Sequence, residues 1–230
     1  MTVYKKYIKR AFDLVLSVCL LPFVLFVVLI CGIIIKLEDR GPIFFKQDRV
    51  GKDGKIFKVL KLRTMYSHTP PNLATRDICN PDSYITKTGK FLRRWSIDEI
   101  PQFLNVVKGD MSIIGPRPLI PQEKEIHILR DKNHVTEIKP GISGWAQVNG
   151  RDYVEINQKI ACDVFYANNI SFILDIKIIF QTAGCVLFGR GYREGKAETM
   201  IEYIEIPDAP KIQVVKNDVA ARDLAEVINS

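Results

Sequence analysis

No Cys-x-x-Cys pair occurs in this sequence: Cys19, Cys31, Cys79, Cys162 and Cys185 are odd in number and scattered. Neither a disulfide framework nor a zinc site is signalled, and a reducing compartment is the simpler setting. Internal repeats are missing too. So are an arginine-rich recognition helix and an aromatic platform, which leaves nucleic acid unexpected as a partner. What is in surplus is positive charge, +7 formally, beside a hydrophobic content of 47%. That combination points to an anionic partner such as a phospholipid or a nucleotide. At 230 residues the chain fits one catalytic domain with an appendage.

Residues 14–35 carry no charge over 22 positions, and as a helix they would reach about 33 Å at 1.5 Å per residue, enough to span a bilayer. A cleaved signal peptide is not supported, because the apolar run is too long and no small-x-small site follows it. Both flanks are basic: Lys5, Lys6, Lys9 and Arg10 precede the run, and Lys36, Arg40, Lys46 and Arg49 follow it. The positive-inside rule places each flank on the cytoplasmic side, which a straight crossing cannot satisfy. Pro22 removes a backbone hydrogen bond near the middle and favours a kink. A helix that enters, bends at Pro22 and leaves by the same face suits both flanks. Proline is also tolerated in ordinary spanning helices, so these residues admit either topology.

Beyond the anchor, Ile43 to Val50 and Lys55 to Leu62 read as strands of a hairpin around Gly51-Lys52-Asp53-Gly54. Residues 66–90 are polar and turn-rich and read as a loop near the active face. Ile100, Phe103, Leu104 and Val107 recur at helical spacing, closed by Gly109. The proline-rich stretches 113–121 and 139–145 read as rigid loops. Two further helices are expected over 154–168 and 171–187, the second capped by Ser171. Asp175 and Lys177 interrupt that last apolar helix and suit it to a membrane interface or a core position. The fold class is therefore α/β, mostly helical with a small hairpin. The predicted divisions are an anchor over 1–40, a catalytic domain over 41–200 and a tail over 201–230.

The densest charged cluster runs from Leu92 to Gln102, where Arg93 and Arg94 precede the adjacent carboxylates Asp98 and Glu99. Ser96 and Glu99 also match a capping box, an ordinary way to begin a helix. A second basic site, Gly115-Pro116-Arg117-Pro118, and a third, Gln147-Val-Asn-Gly-Arg151, lie in stretches read as rigid loops. Proline fixes an arginine at low entropic cost, and the planar guanidinium suits phosphate oxygens. Arg93, Arg117 and Arg151 are therefore candidate diphosphate ligands. Carboxylates, fixed arginines and a membrane anchor together point to phosphate chemistry at a lipid surface.

Seven ordered motifs carry a resemblance: Lys9-Arg-Ala-Phe-Asp13, Lys61-Leu-Arg-Thr-Met65, Ser96-Ile-Asp-Glu-Ile-Pro-Gln102, Lys108-Gly-Asp-Met-Ser112, Gly115-Pro-Arg-Pro118, Lys139-Pro-Gly-Ile-Ser-Gly144 and Gln147-Val-Asn-Gly-Arg151. From about residue 5 to about 190 the chain resembles the bacterial sugar transferases, the monotopic polyprenyl-phosphate phosphoglycosyl transferases. It is similar to their small form, as in the enzyme that starts N-linked glycan assembly in Campylobacter, with no multi-pass membrane domain before the catalytic core. The resemblance implies a re-entrant helix in the bacterial inner membrane, with the catalytic domain on the cytoplasmic face. Family members commonly carry Ser-Pro at the bend, whereas Leu21 precedes Pro22 here.

By the same resemblance, Asp98 is the nucleophile toward a UDP-sugar and Glu99 is the ligand for Mg²⁺. Arg93, Pro116, Arg117, Gln147 and Arg151 belong to the substrate site, and Lys61 and Arg63 assist the phosphate of the polyprenyl acceptor. Sugar phosphate moves to that lipid and UMP leaves. The small form favours an N-acetylated sugar. A non-catalytic scaffold for anionic lipids and a glycosyl transferase that releases UDP are the alternatives.

Overall fold

A computed structural model describes residues 3–69, 83–149 and 156–187. A short π-helical turn, Tyr4–Ile8, leads into one long helix, α1 (Lys9–Glu38), with Pro22 inside it. Its buried positions Asp13, Ser17, Val24, Cys31 and Ile35 recur at spacings of four and seven, so one narrow seam faces the protein. Outside the seam, Val18, Phe23, Phe26, Leu29 and Ile33 are exposed. Only 22% of its most apolar stretch is buried, which separates this helix from a core helix and leaves most of its apolar surface uncovered.

Both ends of α1 are fastened to the same domain. At the start, Arg10 donates to the carbonyls of Val106 and Val107, and Asp13 accepts from Ser112 Oγ at 2.6 Å and Ile113 N–H at 3.2 Å. At the far end, Glu38 accepts the N–H groups of Lys87 and Thr88, and Asp39 pairs with Arg63.

The hairpin forms as expected: β1 (Phe44–Val50) pairs antiparallel with β2 (Ile56–Leu62), in register Phe44 to Leu62 through Val50 to Ile56. Its turn places Asp53 and Gly54 at φ of 55° and 73°, a left-handed pair that glycine and aspartate tolerate best. α2 (Lys87–Arg94) is a correction to the loop expected over 66–90: Thr86 caps it by accepting from Gly89 N–H at 2.8 Å, while 70–82 lie outside the described residues. α3 (Gln102–Lys108) ends at Gly109, whose φ of 101° is the left-handed stop read from the sequence.

The two proline-rich stretches are also corrected. They are not loops throughout: β3 (Ser112–Ile114) and β4 (Gly141–Ser143) form a two-stranded parallel sheet. The backbones meet so closely that a Cβ on Gly115 would stand 2.5 Å from the Lys139 carbonyl, and one on Gly144 would strike the Gly115 carbonyl. Glycine is required there for contact, not for turning. α4 (Lys124–Lys132) was not anticipated. α5 (Trp145–Asn149) corrects the loop read from Gln147 onward, since 147–149 are helical; α6 (Ile156–Asn168) and α7 (Phe172–Leu187) complete the described chain, and Ser171 Oγ accepts the Leu174 N–H at the start of α7. The main core joins Val59, Val106, Met111, Ile114, Trp145, Tyr166 and Ile178, so the hairpin, β3 and the last helices close on one centre. The tail over 201–230 lies outside the described residues.

Candidate active site

Asp98 and Glu99 stand in a single 3-10 turn, Ile97–Glu99, wedged between α2 and α3. The capping box expected of Ser96 and Glu99 does not form. Ser96 takes a left-handed backbone with φ of 54° and makes no capping bond, and α3 begins after Pro101. Neither carboxylate is spent on capping α3.

Asp98 is 9% exposed. Burial pushes its carboxyl up to about 6, against the pull of Lys61, Arg93 and Arg117 and with the added repulsion of Glu99. Glu99 goes the other way. Burial would raise it, but Arg117 and Lys61 outweigh that and hold it well below the usual carboxylate range. Lys61 Nζ lies 2.6 Å and Arg117 Nη2 3.0 Å from the same oxygen, Oε1. Two neighbouring acids are thus split by their surroundings, one firmly ionised and one poised near neutrality.

The cations arrive from three elements. Lys61 comes from β2. Arg93 comes from α2, its Nε donating to Thr64 Oγ1 at 2.8 Å, where Gly89 lets α2 press against the Thr64 carbonyl. Arg117 comes from the segment after β3. Arg49, Lys61, Glu99, Gln102 and Arg117 line a shallow cleft, with Glu99 the member of the acid pair that reaches it.

The segment carrying Arg117 is held at four successive carbonyls. Pro116 O accepts from Gly141 N–H, Arg117 O from Arg130 Nη1, Pro118 O from Arg49 Nη1, and Leu119 O from Val50 N–H, at 2.9, 2.9, 3.0 and 2.9 Å. Proline supplies part of the rigidity, as the sequence implied; the rest is long-range. Arg130 is itself buried against Asp163 of α6, with Nη2 2.6 Å from Oδ2. Sequence reasoning missed both residues. The available signal was Arg130 four residues after Ile126, a cation on the buried face of a short helix.

Replacing Arg130 with methionine leaves the Asp163 carboxylate buried and unpaired, and is expected to cost about 3 kcal/mol. Adding Asp163→Leu should restore stability, while any rate that depends on Arg117 stays about tenfold low because Arg117 has lost its brace. Denaturant titration and steady-state rates on the double variant check this; full activity in that variant would remove the positioning role.

Other expected site residues fare differently. Arg63 is buried and drawn to Asp39 at 2.9 Å, away from the acid pair. Lys61 is committed to Glu99, as given above. Pro116 is buried under Arg117. Gln147 donates to the Ile142 carbonyl at 3.2 Å and leaves its own Oε1 buried and unbonded. Arg151 lies outside the described residues. Pro22 is exposed in mid-helix.

A buried Asp98 and a partly buried Glu99 ringed by cations have the chemistry that suits a phosphate-bearing ligand. The chain belongs to the bacterial sugar transferase family, whose model matches residues 4–189. It is 40% identical over 188 residues to the uncharacterized sugar transferase EpsL of Bacillus subtilis (strain 168), covering 81% of this chain and 91% of that one. The undecaprenyl-phosphate glucose phosphotransferase of Komagataeibacter xylinus is 38% identical, covering 79% of this chain and 36% of its own. A UDP-N-acetylgalactosamine-undecaprenyl-phosphate N-acetylgalactosaminephosphotransferase of Aeromonas hydrophila is 39% identical, covering 81% and 45%. This chain therefore spans less than half the length of those two relatives.

Proposed function

We propose that this chain is a membrane-bound phosphoglycosyl transferase that moves a sugar phosphate from a UDP-sugar to a polyprenyl phosphate. The observation that carries the reading is the divided acid pair: Asp98, buried and pushed up to about 6, beside a Glu99 pinned by Lys61 and Arg117. Relatives of the same family named for undecaprenyl-phosphate phosphotransfer support it.

An oxygen of Asp98 attacks the β-phosphorus of the donor, the bond to the α-phosphate breaks, and UMP leaves. The lipid phosphate then attacks the aspartyl-bound phosphorus and frees Asp98. Splitting the displacement lets each step handle one anionic partner at a time. Arg93 and Arg117 hold equatorial phosphate oxygens as charge redistributes.

Both cations on Glu99 bind Oε1, which leaves the Oε2 edge uncommitted by them. Among the described residues no group of three or more histidine, cysteine or acidic side chains could hold a metal. One carboxylate completed by substrate phosphates is an ordinary Mg²⁺ donor set, so Glu99 fits that ion. When bound, Mg²⁺ would offset the charge of a diphosphate brought beside two acids. The fastening of both ends of α1 to one domain supports an anchor that enters and leaves by the same, cytoplasmic face of the inner membrane. An N-acetylated sugar is the favoured donor.

Incubating detergent-solubilised protein with Mg²⁺ and a panel of UDP-sugars tests this. The expected result is UMP, with one equivalent released before lipid is added and turnover only once undecaprenyl phosphate is present. Release of UDP instead would make the protein a glycosyl transferase and discard the aspartyl intermediate.

A further inference from the structure

Lys139 is half-buried, yet it makes no hydrogen bond or ion pair among the described residues. Arg10 faces it across Gly109. Arg10 Nη2 and Lys139 Nζ lie 3.5 and 3.8 Å from where a Cβ on Gly109 would stand, so the missing side chain keeps the gap between two cations open. Burial, the charge of Arg10 and that of Lys52 push the Lys139 ammonium below its usual range, while Asp13 and Asp110 pull it back. Those two acids are already engaged: Asp13 by Ser112 and the Ile113 N–H, and Asp110 by Lys108 at 3.2 Å. Arg10, held by the Val106 and Val107 carbonyls, and half-buried Lys139 thus stand together with no acid bonded to either among the described residues, a receptor for an outside anion.

The position says which anion. Arg10 lies at the start of α1, just before the uncharged run, and Ile8, Leu14 and Val15 beside it are exposed. The first turn of α7 joins the same edge, where Phe172 stacks edge-on against Tyr4 and Phe12 and Ile173 is 80% exposed. The gap therefore opens where apolar surface meets water. It is not the reacting centre, because Asp98 precedes α3 and Gly109 follows it, a separation of roughly 10 Å at 1.5 Å per residue.

We propose that Arg10, Lys139 and Lys52 hold the phosphate of an anionic phospholipid headgroup at the N-terminal end of the membrane helix. Free phosphate offers the same chemistry, and the test separates the two.

The full chain is partitioned onto vesicles of phosphatidylcholine alone and of phosphatidylcholine with phosphatidylglycerol. Lys139→Gln is expected to lower partitioning onto the anionic vesicles about fivefold, the worth of one lysine near such a surface, and to leave the neutral vesicles unaffected. Lys52→Gln, on an exposed turn where no packing is lost, should act in the same direction. Lys6→Gln, at the same end but outside the gap, should cost less. An equal loss in Lys6→Gln and Lys139→Gln would replace the site with diffuse attraction and overturn the proposal. So would a melting temperature raised by inorganic phosphate in detergent through Lys139 with no effect of phosphatidylglycerol. The readout is partitioning, so its failure leaves the proposed transfer reaction standing, and failure of that reaction leaves this site standing.

Discussion

Replacing Asp98 with asparagine is expected to lower sugar-phosphate transfer by about 10⁴ or more while making the metal-free protein more stable at neutral pH. The first effect follows from removing the oxyanion proposed to attack, a loss that positioning by the arginines would not offset. The second follows from the direction of its titration. Burial lifts Asp98 from 3.8 to about 6, so the folded state favours the protonated form. That contribution to stability is fully present below about 4 and is lost as the pH rises through about 6. At pH 7 the ionised, buried carboxylate therefore costs on the order of 2 kcal/mol, which a neutral amide avoids. Melting curves without divalent cation should put Asp98→Asn several degrees above the wild type at pH 7 and close to it below pH 4. Equal melting at both pH values would mean that Asp98 is not desolvated, and retained turnover would end its assignment as nucleophile.

The largest loss of stability is expected from Asp175→Ala. Asp175 is fully buried in the first turn of α7, where Oδ2 accepts from Tyr4 Oη and from Lys9 Nζ, each at 2.6 Å. Its Oδ1 accepts from Tyr166 Oη at 2.8 Å. Tyr166 also reaches the Ile114 carbonyl, so it keeps one acceptor after the change. Lys9, with its side chain only 13% exposed, keeps no comparable partner among the described residues. Leaving that ammonium buried and unpaired costs about 3–5 kcal/mol. Asp175→Asn, which keeps an acceptor for the hydroxyls and loses the charge, should fall between. Denaturant titration in detergent measures the loss, and faster tryptic cleavage at Lys5, Lys6 and Lys9 would report release of the N-terminus from α7. Unfolding at the wild-type denaturant concentration would show that the network carries no stability.

How far the fold could be read from the chain depended on how local each cause was. The anchor, the hairpin, α3, α6 and α7 announced themselves through runs and periods within their own residues. α2 did not, because Lys87-Thr-Gly-Lys-Phe-Leu-Arg-Arg94 is polar and holds a glycine; its start is secured by Thr86 and by Glu38, almost fifty residues earlier. β3 and β4 hid behind prolines, since each makes sense only beside the other across Gly115, Gly141 and Gly144. In the site, the acid pair and Arg117 were legible as a cluster of charge. Two things were not: that Lys61 would turn to Glu99, and that Arg63 from the same strand end would turn to Asp39. Their partners are set by chain reversal at the hairpin and by where α1 ends. The brace from Asp163 through Arg130 to Arg117 was equally invisible, since it joins three elements distant in sequence.

The last residue of α1 closes a circuit with the acid pair's surroundings. Glu38 terminates α1 and, at 2.8 and 3.1 Å, takes the first two N–H groups of α2, the helix that carries Arg93. α1 thus serves as a lever as well as a tether, with its short arm resting on the helix that carries Arg93. Cutting the chain at residue 39 to obtain a more tractable protein would leave that helix with Thr86 alone at its start and slacken the site.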